Sequence, residues 1–381
     1  MPVIIERFLC WTETAKAGDR AKAANALGRA YLKSDMTPGE RQAADLAMTY
    51  LLDDPSPLVR KALADALAGD PEAPHAVILC LAGDQDEIAS EILLRSPVLT
   101  DGDLVELAGR GSSITRSLIA TRRGLSRGVS AAIAEVGDQP EIISLLENES
   151  ASIAGFSLLR IAERFGDDSE VRSMLLERPS LPSKARQLLV QHVGEALAGF
   201  GFVSAAIGRS RTDRVVKEAG SAATLAISAG LEADDLRDFA EHLRKTGRLT
   251  PALLMQALVS GRLEFFAAAI INLSGCEDRR ARAVLASGRM HAVRALFEAA
   301  GISRAISPIF VEAAFLWRGA LEGGYDNAVD YLTSELMDRF RHLRGSHDEA
   351  DELLDIVSKL HIEQKRRLAR LYAEDAAIKA A

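Results

Sequence analysis

The segment DDPSPLVRKALADALA, residues 53–68, runs an acidic, proline-containing turn straight into an alanine-rich amphipathic helix, and degraded copies follow along the chain. Two short helices joined by such a turn cannot bury their apolar faces alone, so a chain made of copies has to stack them. In the first copy Leu46, Tyr50 and Leu51 mark the inner face of the first helix, and Asp53, Asp54 and Pro55 end it. Pro57 falls in the first turn of the second helix, where a missing N–H is tolerated. Leu58, Ala62, Leu63, Ala66 and Leu67 then recur at helical spacing. Ile88 in CLAGDQDEIASEILLRS, Ile114 in LAGRGSSITRSLIATRR and Ile153 in LLENESASIAGFSLLRIAER align with Leu58 at successive steps of 30, 26 and 39 residues. Such steps suit α-solenoid repeats. The longest contains an extra helix, LSRGVSAAIAEVG. LLERPSLPSKARQLLVQHV adds a fifth copy, and SGRLEFFAAAI and SGRMHAVRALF match each other at a step of 27.

Composition agrees with stacked helices. Aromatic residues are 5% of the 381, and Ala and Leu carry most of the apolar surface, which favours close helix-on-helix packing. Strand formers occur singly at helical spacing and not in alternating runs. The fold expected is all-α: an α-solenoid of degenerate hairpins closed by a helical C-terminal cap. Helix starts are written at Thr37-Pro38-Gly39-Glu40, Thr100 with Asp103, Thr250-Pro251 and Ser307-Pro308. The organisation expected is an N-terminal helical segment (1–36), repeats (37–193), a Gly/Ser-rich bend or linking helices (194–230), further repeats (231–324) and the cap (325–381).

DDPSPLVRKALADALA resembles a HEAT-like repeat, in which an acidic turn and an arginine contribute to a polar ladder between neighbouring repeats. Asp54 and Arg60 occupy those places, but residue 90, aligned with Arg60, is Ser, so the ladder is not continuous. Leu99-Thr100 before a helix, the link from Ile119 to Ser126 and the helix end from Leu145 to Ala151 resemble an uncharacterised alphaproteobacterial family of HEAT-like proteins, a domain of unknown function. With SGRLEFFAAAI the similarity covers most of residues 40–300. It implies a bacterial cytoplasmic setting and no activity.

No motif carries chemistry. The seven histidines include no pair at i, i+4 on one helix face, so neither a metal nor a cofactor is expected, and most of them read as surface residues. The cysteines Cys10, Cys80 and Cys276 are too dispersed for a disulfide framework, and Cys80 between two leucines reads as a buried, inert thiol. AGFGFVSAAIG (198–208) echoes a glycine-rich phosphate loop but follows no strand, so small residues at a helix contact explain it better. The acidic pairs Asp53-Asp54, Asp167-Asp168 and Asp234-Asp235 fall at helix ends, where capping accounts for them. No apolar window is long enough to span a bilayer, and the start carries no signal-peptide cleavage pattern.

Arginine clusters remain: Arg122 and Arg123 at a helix link, Arg209 and Arg211 near Arg214, and Arg262 and Arg289 at matching repeat positions. They read either as solvated helix ends balanced by nearby acids or as a surface for an acidic or phosphate-bearing partner. A net charge of −8 and the lack of interleaved aromatics weigh against nucleic acid. The expectation is a non-catalytic, cytoplasmic scaffold that binds a protein partner on a curved helical surface, with self-association through the C-terminal helices as a second expectation. A local basic concave patch gripping nucleic acid is the alternative.

Overall fold

The computed structural model describes residues 3–201, 208–323, 327–345 and 347–380. Among the described residues the secondary structure is twenty-two α-helices and one short 3-10 turn, with no strand. The chain divides into two compact units at Val193–Gly194. Each has its own apolar core, one from Ala21 to Leu189 and one from Leu225 to Val357.

In the first unit the helices are α1 (Val3–Thr14), α2 (Ala17–Lys33), α3 (Pro38–Leu51), α4 (Pro57–Leu67), α5 (His75–Ala82), α6 (Asp86–Arg95) and α7 (Asp101–Arg110). They continue as α8 (Ser113–Ala120), α9 (Arg127–Val136), α10 (Gln139–Glu147), α11 (Gly155–Phe165), α12 (Ser169–Glu177) and α13 (Ser183–Gly199), the last of which crosses the unit boundary. Packing skips one helix at a time. α2 lies on α4, α4 on α6, α6 on α8, α8 on α10 and α10 on α12, while α7 lies on α9 and α9 on α11.

In α4 and α8 the apolar stripe opens one residue later than its spacing suggests. Val59, Leu63, Ala64 and Leu67 are buried in α4, whereas Leu58 is 56% exposed. Ile114 is likewise exposed, with Thr115, Ile119 and Ala120 buried in its place. In α3 the buried face is Ala43, Ala44, Ala47, Met48 and Leu51, so Leu46 and Tyr50 point outward. Small alanines allow α3 to approach closely, and polar contacts of Arg60, described below, fix the rotation of α4. Ile88, Ile92 and Leu93 are buried as the sequence indicates. Cys80 is exposed, against expectation, because Val77, Ile78 and Leu81 form the inner face of α5.

Caps follow the sequence closely. Thr37 and Glu40 form a reciprocal capping box, as do Thr100 and Asp103: Thr100 Oγ1 accepts from the Asp103 N–H at 3.2 Å and Asp103 accepts from the Thr100 N–H at 2.8 Å. Asp103 also meets His75 Nε2 at 2.8 Å, and these hydrogen bonds lower its carboxyl pKa to about 2. Asp168 caps α12 by accepting from the Glu170 and Val171 N–H groups. Ser307 opens a helix but is buried and donates to Glu298, so its hydroxyl is not the cap the Ser-Pro pair suggests.

The second unit comprises α14 (Arg209–Ser228), α15 (Ala233–Lys245), α16 (Pro251–Val259), α17 (Leu263–Ser274), α18 (Asp278–Ala286), α19 (Met290–Ala299), α20 (Ser307–Gly323), α21 (Ala328–Phe340) and α22 (Asp348–Ala380). Its organisation differs from that of the first. α16 buries six of its residues, Leu253, Leu254, Met255, Ala257, Leu258 and Val259, and contacts α17, α20, α21 and α22. A helix apolar on all sides becomes the hub of a bundle. Phe266, Phe297 and Phe310 meet beside it, with edge-on contacts at 5.6 and 6.1 Å and a stacked contact at 6.3 Å between ring centres. The basic stretch from Gly208 to Gly220 opens the twenty-residue helix α14. Most of AGFGFVSAAIG lies outside the described residues.

Candidate binding surfaces

Asp54 and Arg60 both belong to a chain of polar contacts, though they do not share a carboxylate pair. Asp54 takes Arg20 of α2, with Nε and Nη2 donating to its two oxygens at 2.7 and 2.9 Å, and also accepts from the Ser56 N–H. The Arg20 hydrogen bond is the main reason its carboxyl lies below the usual range. Arg60 spans Asp84 ahead of α6 in the same bidentate way, at 2.6 and 3.0 Å, and donates its remaining arm to the Asp54 carbonyl. α6 carries Ala89 where α4 carries Arg60, and there the contact is reduced to Ser112 Oγ to Asp86 at 3.5 Å. The chain of contacts resumes with Arg116 to Glu141 at 3.3 Å and Gln139 to Asp168 at 2.9 Å.

Arg20, Arg60, Arg116, Arg172 and Arg186 are each the fourth residue of their helix. Each also donates to a backbone carbonyl of the preceding loop, on Ala15, Asp54, Gly111, Gly166 and Leu181 respectively. A cation at a helix N-terminus opposes the dipole; a carbonyl beneath it, and in three cases a neighbouring carboxylate, offsets that.

Helix C-termini are finished by the following layer. Arg122 is partly buried and donates to the carbonyls of Leu93 and Ser96 at the end of α6, and burial lowers its pKa. Asn148 donates to the Ala120 and Arg122 carbonyls after α8, and Arg178 to the Leu146 carbonyl of α10. Arg122 is therefore turned inward while Arg123 is exposed, and the structure separates the two.

In the second unit, Arg209 and Arg211 are exposed on the first turn of α14. With Arg214, Glu218 and Lys359 they line one cleft. A neighbouring cleft of ≈ 390 Å³ is bordered by two ion pairs joining α14 to α22: Lys217 to Glu352 at 2.7 Å, and Lys359 to Glu218. Apolar residues such as Ala252, Ile356 and Val215 share the lining of these clefts with the charged ones. No group of three potential metal ligands occurs among the described residues.

Arg262 and Arg289 occupy equivalent places against α20. Each follows a glycine of positive φ, Gly261 at +75° and Gly288 at +65°, and each is the residue just before a helix. The two glycines rest against consecutive residues of α20, Gly261 under the Trp317 ring and Gly288 under the Arg318 guanidinium. Trp317 Nε1 donates to the Leu258 carbonyl at 2.5 Å, and Arg318 lies 5.3 Å from the Phe315 ring centre. Arg262 and Arg289 are exposed, as are Met290 at 52% on α19 and Leu321 at 67% on α20. The sequence flagged the paired Ser-Gly-Arg motifs but not Trp317, Arg318, Met290 or Leu321, because nothing local links residue 317 to residues 261 and 288. Gly261→Ala is expected to destabilise the protein by about 1–2 kcal/mol, since a Cβ at positive φ is strained and would stand 3.1 Å from Trp317. Urea unfolding checks it.

Fold and surfaces define a helical protein of two units with cationic and apolar rims. The chain belongs to a family described as an uncharacterised protein conserved in bacteria (DUF2336), whose profile matches residues 88–350, more than half the chain. That range starts later and ends later than the resemblance read from the sequence motifs. No curated protein matches, and no solved structure matches.

Proposed function

We propose that this protein is a non-catalytic scaffold whose first unit is a HEAT-like α-solenoid and whose exposed rims bind another protein in the bacterial cytoplasm. The skip-one helix packing, the arginine repeated at the fourth helical position and the caps supplied by the following layer support the solenoid reading, because they are nearest-neighbour contacts repeated along the chain. The observation that carries the binding reading is the convergence of two Ser-Gly-Arg helix starts on Trp317 and Arg318. Exposed arginine beside tryptophan, methionine and leucine is the chemistry of interface anchors: desolvated apolar area surrounded by groups that form directional hydrogen bonds. An acidic or mixed protein surface fits it.

A photo-crosslinking amino acid at position 289 or 262, introduced into the full chain in a bacterium that encodes it, is expected to capture one protein repeatedly. The same group at the exposed position 123 should not. Equal labelling at all three positions, or adducts only with nucleic acid, would remove this reading.

A further inference from the structure

Among the residues of α22 whose side chains are described, the buried ones end at His361. Leu353, Leu354 and Val357 are buried, and His361 closes the packed face with Nδ1 2.9 Å from Thr333 Oγ1 and 3.3 Å from Asp330. From Ile362 to Ala373 every residue except Gln364 and Leu368 is exposed. At 1.5 Å per residue, about 18 Å of helix extends past its last packed turn.

That stretch, IEQKRRLARLYA, holds Lys365, Arg366, Arg367 and Arg370 against the single acid Glu363. Among residues whose side chains are described, that is up to Ala373, none forms an ion pair with any of the four cations, and Glu374 and Asp375 follow in the sequence. Leu368, Leu371 and Tyr372 lie at i, i+3 and i+4 and so share one face; Leu371 is 52% and Tyr372 78% exposed. At the root of this segment Lys359 is paired with Glu218 of α14, so the unpaired cations begin at Lys365.

We propose that the exposed half of α22 docks on the surface of an anionic lipid bilayer. The chemistry selects that occupant. A second copy lying on the same segment would set four cations against four. A nucleic-acid backbone would satisfy the arginines, but it offers nothing to Leu368 and Leu371, and Tyr372 alone is no stacking platform. A bilayer surface takes both halves: anionic headgroups face the guanidinium groups, and the leucines and tyrosine enter the boundary with the acyl chains. Tyrosine suits that depth because its ring is apolar and its hydroxyl stays wet. No helix among the described residues is long and apolar enough to cross a membrane, so α22 lies on the surface. With a net charge of −8 on the whole chain, a local cationic segment is needed for attraction to an anionic bilayer, and this segment supplies one.

The test uses the full chain and vesicles of phosphatidylcholine with or without phosphatidylglycerol. Cosedimentation is expected only with phosphatidylglycerol, falling as salt rises. Arg366→Gln, Arg367→Gln and Arg370→Gln combined should weaken it by about tenfold or more, with an unchanged circular-dichroism melting curve because all three side chains are exposed. Tyr372→Trp should give a blue-shifted emission component on anionic vesicles, read as the difference from the parent protein. Any of several results overturns the proposal: no binding to phosphatidylglycerol, undiminished binding by the triple variant, or an unmoved difference emission from Tyr372→Trp while binding persists. Tighter retention on duplex DNA or polyglutamate than on vesicles also overturns it, as does self-association that the triple substitution abolishes. Arg262 and Arg289 are intact in these variants, so crosslinking at those positions reports separately on the protein-binding reading.

Discussion

Phe297→Ala will lower the unfolding free energy by about 3–5 kcal/mol, the range for removing a fully buried aromatic ring. Phe297 has no solvent exposure and meets Phe266 and Phe310 edge-on, so its loss removes both buried area and the two ring contacts that orient its neighbours. The surrounding groups are Phe266 on α17 and Phe310 on α20, a helix held at its far end by the Trp317 hydrogen bond to Leu258. Collapse into the space left behind is therefore restricted, and the cost falls in the upper part of the range. Phe297→Leu should recover more than half of it. Guanidinium unfolding followed by circular dichroism, with the slope of each transition, provides the measurement.

Arg116→Ala will cost about 3–5 kcal/mol at neutral pH, for a different reason. Glu141 is wholly buried, and one of its oxygens has no hydrogen-bond partner. Burial opposes its ionisation, yet hydrogen bonds from Ser113, its own backbone N–H and Arg116 outweigh burial and hold the carboxyl below its ordinary value. Removing Arg116 takes away the cationic partner of that buried charge and leaves it to Ser113 and its own backbone N–H. Because the folded-state pKa is depressed, the stability this contact contributes is present above the ordinary glutamate range and is lost as pH falls through the folded value. The difference between parent and variant should accordingly be full at pH 7 and shrink on acidification as Glu141 takes up its proton. Arg116→Met combined with Glu141→Leu should lie close to the parent, since an apolar pair of similar volume replaces a pair whose desolvation nearly cancels its attraction. A pH-independent loss in Arg116→Ala would mean that packing of the arginine stem, and not charge, supplies the contribution.

Much of the architecture is legible in local chemistry. Thr37 with Glu40, Thr100 with Asp103 and Thr250 before Pro251 cap helices where the sequence places them. The rotation of the helices is less legible: Leu58 and Ile114 belong to stripes of correct period but are exposed, and the arginine two residues later reaches a carboxylate on, or just ahead of, the next helix in its row. That arginine was itself readable. Ser56-Pro-Leu-Val-Arg60, Ser112-Ser-Ile-Thr-Arg116 and Asp168-Ser-Glu-Val-Arg172 place it four residues after the capping position, and an alignment on apolar residues hides it. Arg122 shows the opposite limit. On paper it stands beside Arg123 as one basic pair, but only the packed chain brings the carbonyls of Leu93 and Ser96 to it. The Trp317 surface was illegible for the same reason of distance along the chain.

Arg122, Asn148 and Arg178 reach carbonyls 26 to 32 residues upstream. On a ribosome, each of these helix ends stays wet and frayed until the stretch that seals it has left the exit tunnel. A chain cut short before one of these sealing residues is accordingly expected to leave the matching helix end open to solvent.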